Sequence, residues 1–134
     1  MAIRWISLVA MALTLFACGY GGFGGFSREF SGVWLYEFEG SNFVEGATGI
    51  PTQRPASEEA DWFEWTEWPR LEALMDKDLS YEDCHRVQAF RVTFVGRRTH
   101  HPFGVGHLGL SRSKVTVQRP ISAERLGPPF CYDR

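Results

Sequence analysis

Three histidines lie close together in the sequence and are the first residues whose spacing could indicate chemistry. His100, His101 and His107 belong to the glycine-punctuated segment HHPFGVGH, and imidazole is the commonest metal ligand at neutral pH. The sequence contains neither an HExxH motif nor two histidines four residues apart on one helix face. Adjacent side chains on a strand also point to opposite faces. We therefore expect exposed loop histidines, with no metal and no cofactor, and rank a small metal-dependent hydrolase third among the functions.

Nucleophilic and acid–base catalysis have equally weak candidates. Cys84 is followed by His85, and Glu64 is followed three residues later by Glu67. Neighbours on a strand diverge, so Cys84 and His85 would not meet, and glutamates at this spacing are typical of a solvated helix face. The sequence also has no GxSxG or SxxK motif. These patterns indicate a protein that is not an enzyme.

Tryptophans form a further candidate site, one that would bind rather than react. Trp62, Trp65 and Trp68 recur every three residues in the segment DWFEWTEW, and such rings could stack against a glycan or a peptide. The other interpretation is that they pack a helix against a sheet. Packing is favoured, because a mature chain of 117 residues (134 − 17) has few other large side chains with which to build a core. Trp62 and Trp65 are kept as ligand-binding candidates.

Charged side chains are divided unevenly along the chain. Residues 18–83 carry 14 acidic and 4 basic side chains, a balance of −10, whereas residues 84–134 carry 2 acidic and 9 basic ones, a balance of +7. One interpretation is a basic surface for anionic lipids or acidic glycans, formed by Arg86, Arg91, Arg97, Arg98, Arg112 and Lys114. The favoured alternative is that the acidic part covers the basic strands within one molecule. The net charge of −2 gives no indication of nucleic-acid binding.

The elements that must position these residues are mainly strands. Alternating apolar residues predict strands at four places, residues 30–39, 43–45, 87–95 and 114–118. A helix is expected over residues 66–77 with Thr66 as its cap, and residues 46–60 form a loop. Gly96 is expected to end the third strand, and Pro120 to end the last strand or place it at an edge.

The same alternation predicts the core and the fold class. The expected core side chains are Trp34, Tyr36, Phe38, Phe90, Val92, Phe94, Val115 and Val117. This set predicts a mainly β protein with one helix (α+β), folded as a small antiparallel β-barrel or sandwich. The strand from Arg91 to Val95 and the strand from Val115 to Val117 resemble those of bacterial modules of the oligonucleotide/oligosaccharide-binding (OB) type. The resemblance covers about a third of the chain, implies a five-stranded barrel and transfers no binding residue.

The first residues predict export. An arginine and the uncharged residues 5–17 match the n-region and h-region of a secretory signal, and this run is too short to span a bilayer, which takes about 20 residues. The segment Leu15-Phe16-Ala17-Cys18 resembles the lipobox of bacterial lipoproteins, with Phe16 where the family usually has a small residue. The resemblance implies that residues 1–17 are a signal peptide and that Cys18 becomes the lipidated N-terminus.

The lipobox resemblance also implies a location in the cell envelope. Residues 18–29 would be the lipidated cysteine and a glycine-rich tether, followed by one domain over residues 30–134. Gly19 rather than Asp follows the cysteine, which implies sorting to the outer membrane. The leading hypothesis is a lipid-anchored, non-catalytic envelope protein that binds or supports another envelope protein, a glycan or an anionic lipid. The alternative is cleavage after Gly19, which would release a soluble secreted module for anionic or sugar ligands.

The cysteine count also favours an exported protein. Once Cys18 is lipidated or removed, Cys84 and Cys131 remain as an even pair, and disulfides persist in oxidising compartments. A bridge between them would close a loop of 47 residues (131 − 84). Such a bridge would stabilise the fold by about 4 kcal/mol in the chain-entropy model. Two buried thiols are the alternative.

Overall fold

The computed structural model describes residues 24–77, 79 and 84–132, and within them five strands close into a barrel. The elements are β1 (Arg28–Glu37), β2 (Gly40–Glu45), β3 (Asp61–Glu64), the helix α1 (Pro69–Leu74), β4 (Gln88–Val105) and β5 (Ser111–Arg125). Their order around the barrel is β1-β2-β3-β5-β4, with β3 and β5 parallel and every other pair antiparallel. A mainly β fold with one helix is therefore confirmed.

The topology agrees with the OB resemblance. The barrel has the five strands that the resemblance implies, and its one helix lies between β3 and β4. Strand β1 closes the barrel because it pairs with β4 along most of its length and with β2 from Gly32 onward. A Cβ atom at Gly32 would overlap the carbonyl oxygen of Val44. Glycine is therefore needed where β1 bends across β2.

The N-terminal boundary differs from the expected one. The predicted signal peptide, Cys18 and the first part of the glycine-rich tether lie outside the described residues. Strand β1 begins at Arg28 rather than Phe30. Gly24 already pairs with Thr99 of β4. The last residues assigned to the tether therefore belong to the barrel.

Aromatic rings fill the barrel interior. Phe30 and Phe94 stack with ring centroids 5.3 Å apart, and Trp34 and Phe90 stack at 5.2 Å. The Trp34 indole N–H donates to the Ser41 hydroxyl at 3.0 Å, so its one polar atom is satisfied. The buried cluster consists of Phe30, Trp34, Phe43, Phe63, Trp68, Leu71, Phe90, Val92, Phe94, Val115 and Ala123.

Most of the predicted core is confirmed. Its members Trp34, Phe90, Val92, Phe94 and Val115 are buried, and Tyr36 and Val117 are partly buried against them. The prediction for Phe38 is wrong, since this side chain is 59% exposed. Glu37 and Gly40 pair directly, which leaves Phe38 and Glu39 as the two-residue turn of the β1–β2 hairpin. Alternation stops at that turn, so Phe38 leaves the core face.

A second apolar cluster covers the outer face of β1. Val33, Leu35, Val87 and Ala89 are buried there under the C-terminal tail. The tail is held by a short pairing in which Val87 and Phe130 exchange two backbone hydrogen bonds of 2.8 and 3.0 Å. Cys84 and Cys131 are joined by a disulfide with their Cα atoms 6.1 Å apart. The cysteine pair thus fixes the tail, as its even number predicts.

Two expected strand ends are bulges. The expectations that Gly96 ends its strand and that Pro120 ends the last one are wrong, because β4 continues to Val105 and β5 to Arg125. The β4–β5 register shifts next to both residues. A bulge bends a strand without ending it, and both glycine and proline are tolerated there.

The helix is shorter than predicted. It spans Pro69–Leu74, and its N-cap is Trp68 with no side-chain capping bond, so the expected cap at Thr66 is wrong. Residues 61–64 form β3, for which no element was predicted, so the three-residue tryptophan spacing runs from a strand to the helix N-cap. Trp68 and Leu71 are buried under the barrel. Among the described residues, no helix has the length and apolar character needed to cross a bilayer.

Candidate functional site

An aromatic groove crosses the barrel beside the β1–β2 hairpin. It consists of two adjoining cavities of about 560 and 340 Å³. We use the term aromatic groove for these cavities together with their aromatic walls Tyr36, Phe38, Trp62 and Trp65. The β1–β2 turn flanks the groove on one side, and the connection between β4 and β5 flanks it on another.

Trp62 lines both cavities. It points outward from β3, between Asn42 of β2 and Lys114 of β5, because its neighbours on β3 point into the barrel. Its ring lies against Gly106, where a Cβ atom would overlap it, and Gly106 has a φ of 78°. Glycine is therefore required at this position, and the close contact fixes the ring of Trp62.

The other rings rest on the barrel core. The rings of Trp65 and Trp34 lie 4.6 Å apart, edge to face, and those of Tyr36 and Trp34 lie 5.3 Å apart. Both outer side chains remain partly exposed to the groove. The structure thus brings Trp62 and Trp65 together as candidates and places Trp68 in the core.

Sequence reasoning missed two walls of the groove. Tyr36 and Phe38 were assigned to the core by alternation, yet both line the groove. One signal for Phe38 is present in the sequence, because Gly40 follows two residues later and glycine is typical of turns. Glu39 has a φ of 60°, and a Cβ atom at Gly40 would overlap the side chain of Glu37.

Carboxylates form the polar rim of the groove. Glu37 accepts a hydrogen bond from Arg54. Glu39 lies 3.3 Å from His107 Nε2. The rim therefore presents oxygen acceptors, and Arg54 balances the charge of Glu37.

Glu64 completes this rim. It lies 3.0 Å from Lys114 Nζ, and Thr116 Oγ1 donates to it at 3.3 Å. Glu67, its suggested catalytic partner, is not among the residues that line the two cavities.

An ion-pair cluster at one end of the barrel takes one residue from each strand. Arg98 Nε and Nη2 donate to the two oxygens of Asp61 at 2.9 and 2.6 Å, and Nη2 also reaches Glu45 at 2.6 Å. Arg28 donates to Glu45 at 2.6 and 3.1 Å, and Ser113 donates to Asp61 at 2.5 Å. Hydrogen bonds from Arg28, and then from Arg98, hold the pKa of Glu45 below its usual value against the opposing effect of burial.

This cluster changes the interpretation of the basic residues. Arg98 was a ligand-binding candidate, but it binds two carboxylates within the protein and holds the strands together. Arg91 likewise donates to Glu124 at 2.8 Å and to the carbonyl of Thr48 at 2.6 Å. The pairs of Arg98 and Lys114 join the basic second part of the chain to the acidic first part.

Arg97 and Arg112 behave differently from Arg91 and Arg98. Both are exposed, and Arg112 contacts only the carbonyl of Pro102, at 3.3 Å. No carboxylate of the described chain forms an ion pair with either side chain. These two candidates remain available to an anionic partner.

The histidines do not converge. His101 Nε2 lies 2.9 Å from the Thr99 hydroxyl, His107 faces Glu39, and His100 lines a different cavity beside Ser113. Within the part of the chain that the structure describes, no group of three or more His, Cys, Asp or Glu side chains is arranged to hold a metal ion.

We compared the chain with family models, curated proteins and solved structures, and none matches it. The chemistry of the groove has to be argued from its own side chains.

Proposed function

We propose that this protein is an exported, lipid-anchored and non-catalytic protein of the bacterial envelope whose aromatic groove binds a glycan. One observation carries the binding part of the proposal. Tyr36, Phe38, Trp62 and Trp65 wall two cavities that share lining residues and have carboxylates at their rim.

The groove has the chemistry that sugar recognition requires. Aromatic faces stack on the apolar C–H faces of sugar rings, while carboxylate oxygens accept hydrogen bonds from hydroxyl groups. Trp62 and Trp65 are held by Gly106 and Trp34, so little side-chain entropy is lost on binding. Because Arg54 and Lys114 pair with Glu37 and Glu64, the rim has little net positive charge to attract an acidic glycan. These properties favour a neutral or N-acetylated oligosaccharide.

Export is supported by the sequence and by the disulfide. The apolar run ends in Leu15-Phe16-Ala17-Cys18, which resembles a lipobox. The bridge between Cys84 and Cys131 suits an oxidising compartment. A glycine-rich segment between a lipid on Cys18 and β1 would let the barrel stand away from the bilayer surface.

An intact-mass spectrum of protein taken from bacterial membranes tests the anchor. We expect a chain that begins at Cys18 and carries acyl mass, and we expect that mass to be lost in Cys18→Ala. An unmodified chain that starts after Gly19 would contradict the anchor and would identify a soluble secreted module instead.

Titration with oligosaccharides tests the groove. Chitotetraose serves as the neutral N-acetylated probe and tetragalacturonate as the acidic one, and tryptophan fluorescence and calorimetry report binding. Trp62→Ala should weaken binding of the neutral probe at least about tenfold, which corresponds to the loss of one stacked ring. The matched control is Phe26→Ala, which removes an exposed ring outside the groove.

Two results would contradict a glycan site in the groove. One is tighter binding of tetragalacturonate than of chitotetraose. The other is equal affinity of Trp62→Ala and Phe26→Ala for the neutral probe.

A further inference from the structure

We infer that the tip of the β4–β5 hairpin, residues 102–110, docks on the surface of an anionic phospholipid bilayer. The apolar side chains of this hairpin tip would enter the headgroup region, and the basic stem behind them would contact lipid phosphates. The inference deepens the proposed function and rests on it for the presence of a bilayer, although the tip itself requires no lipid anchor.

The first observation is clustered apolar exposure. Phe103 is 97% exposed and Leu108 is 80% exposed, whereas Leu110, which is 64% exposed, lines a cavity of the aromatic groove. Phe103 and Leu108 belong to one short hairpin tip, and Ile50 and Ile121 are exposed singly elsewhere. Scattered apolar side chains are normal on a protein surface, but a cluster at a convex tip marks an interaction site.

The second observation is that the backbone holds this tip in one shape. Gly104, Gly106 and Gly109 all have positive φ, and a Cβ atom at Gly104 would overlap the carbonyl group of Gly109. Leu108 itself has a φ of 53°, a conformation that costs a leucine free energy. The tip therefore presents Leu108 outward although neither its backbone preference nor its hydrophobicity favours that position.

The third observation is the charge of the hairpin. From residue 96 to residue 123 the sequence contains no Asp or Glu. Arg98 points into the barrel towards Asp61, so by alternation Arg97 lies on the outer face of the stem. Arg97 and Arg112 are exposed and have no carboxylate partner among the described residues.

An apolar tip on a basic stem fits an anionic lipid surface. Apolar side chains are stabilised at the boundary of headgroups and acyl chains, and each nearby cation adds electrostatic attraction to anionic lipids. A protein partner of opposite charge would also meet the basic stem, but exposed Phe and Leu at a convex tip favour insertion into a fluid interface.

The path of the N-terminal segment also supports docking of the tip on a bilayer. The amide of Gly25 donates to the carbonyl of Arg98 at 2.9 Å, and Gly24 pairs with Thr99. The chain therefore enters the barrel on the hairpin stem, close to the tip. Gly24 lies six residue steps after Cys18 (24 − 18), a reach of at most about 21 Å. A lipid on Cys18 would keep this stem near the bilayer.

Vesicle binding by an unacylated chain tests the inference. Residues 18–134 with Cys18→Ala contain every described residue and cannot be acylated. Cosedimentation is measured with mixed phosphatidylcholine–phosphatidylglycerol vesicles and with pure phosphatidylcholine vesicles. The double variant Phe103→Ser/Leu108→Asn should bind the mixed vesicles at least about tenfold more weakly. Asn is chosen at position 108 because it tolerates positive φ.

Two control variants make the comparison specific. Ile50→Ser/Ile121→Ser is the control for the tip variant, since it removes two exposed apolar side chains away from the tip, and we expect unchanged binding.

The basic stem is tested separately. Arg97→Gln/Arg112→Gln should weaken binding to the mixed vesicles several-fold and leave binding to phosphatidylcholine unchanged. Arg70→Gln/Arg91→Gln is the charge-matched control. Near-ultraviolet circular dichroism verifies that each variant keeps the barrel.

Three outcomes would overturn the inference: no binding to the mixed vesicles, equal binding by the tip variant and its control, and equal binding to both vesicle types. Self-association that the tip variant abolishes would also overturn it, since a second copy would then be the partner.

The mass spectrum distinguishes failure of this inference from failure of the proposed lipid anchor. Acyl mass on Cys18 together with failed vesicle binding overturns the tip alone. Tip-dependent vesicle binding together with an unmodified Cys18 overturns the anchor alone.

Discussion

The aromatic groove and the hairpin tip both expose apolar side chains, but they are built in opposite ways. In the groove the rings form a concave wall, rest on core residues such as Trp34 and have carboxylates beside them. At the tip Phe103 and Leu108 project from a convex loop whose stem carries only basic charges. Concave rings with acceptors suit a sugar, whereas a convex apolar tip with cations suits a lipid surface.

The difference follows the division of charge along the chain. The acidic first part builds β1, β2 and β3, which supply the rim carboxylates, while the basic second part builds β4 and β5. The two regions meet where Gly106 contacts the ring of Trp62 and where His107 faces Glu39. One small barrel thus places two different surfaces side by side.

The largest expected effect comes from removing the core that both regions share. The ring of Phe94 lies 5.3 Å from those of Phe30 and Phe63. Phe94→Ala should lower the free energy of unfolding by about 3–5 kcal/mol, because it leaves a cavity among these rings. Urea denaturation measures the loss, and Phe26→Ala serves as the exposed control. A loss below about 1 kcal/mol would mean that the two regions do not share this support.

Reducing the disulfide should affect one region more than the other. Loss of the bridge between Cys84 and Cys131 is expected to lower the free energy of unfolding by about 2–4 kcal/mol. The tail also contacts the groove, since the guanidinium of Arg54 lies 5.3 Å from the ring of Tyr132 and bonds to Glu37. Sugar binding should therefore weaken after reduction, while vesicle binding stays unchanged.

Thiol titration provides the check on this prediction. The unfolded, unreduced Cys18→Ala chain should show no free thiol. Two reactive thiols would contradict the bridge itself.

Adding a single methyl group at Gly106 tests the contact between the hairpin tip and Trp62 of the groove. Gly106→Ala places a Cβ atom against the Trp62 ring and imposes positive φ on alanine, at a cost of about 1 kcal/mol or more. We expect weaker chitotetraose binding, because the ring of Trp62 is displaced from the groove wall. Gly46→Ala is the matched control, because its φ is 77° and nothing lies within 4 Å of the added atom. Equal loss of sugar affinity in both variants would show that backbone strain, and not the ring contact, is responsible.

The smallest expected effect is the pH dependence of the ion-pair cluster. The folded-state pKa of Glu45 lies below its unfolded value of 4.5, so its stabilising contribution is present above about pH 4.5 and is lost as the pH falls through the folded-state pKa. Because the side chain is partly exposed, we expect less than about 1 kcal/mol.

Urea midpoints measured against pH test this assignment. Glu45→Gln should flatten the acid limb of the stability profile, with Glu72→Gln as the control. An acid limb identical to that of the wild type in Glu45→Gln would assign the acid sensitivity to other groups.

Local sequence patterns predicted much of the barrel. Alternation located β1, β4 and β5 and identified Phe90, Val92 and Phe94 as inward-facing, because strand periodicity is a property of neighbouring residues. The same rule failed at Phe38 and at Gly96. A two-residue turn and a bulge each interrupt a period of two, and their positions depend on the partner strand.

The candidate site was predicted only in part. The tryptophan spacing singled out Trp62 and Trp65, but it could not separate them from Trp68, since that separation depends on where β3 ends and the helix begins. Arg98 was grouped with Arg97 although adjacent strand residues face opposite sides. The pairing of β4 with β5 decides which of these two side chains points to the interior.

By itself the sequence determined the approximate positions of every strand except β3, the even cysteine pair, the acid-free stretch from residue 96 to residue 123 and the lipobox-like segment before Cys18. The tertiary structure alone decided that Arg28, Glu45, Asp61, Arg98 and Ser113 meet at one end of the barrel. It also decided that Trp62 faces a groove and that Phe103 and Leu108 share a tip. The reason is physical, because strand periodicity is encoded locally, whereas barrel closure and register bring together residues far apart in the chain.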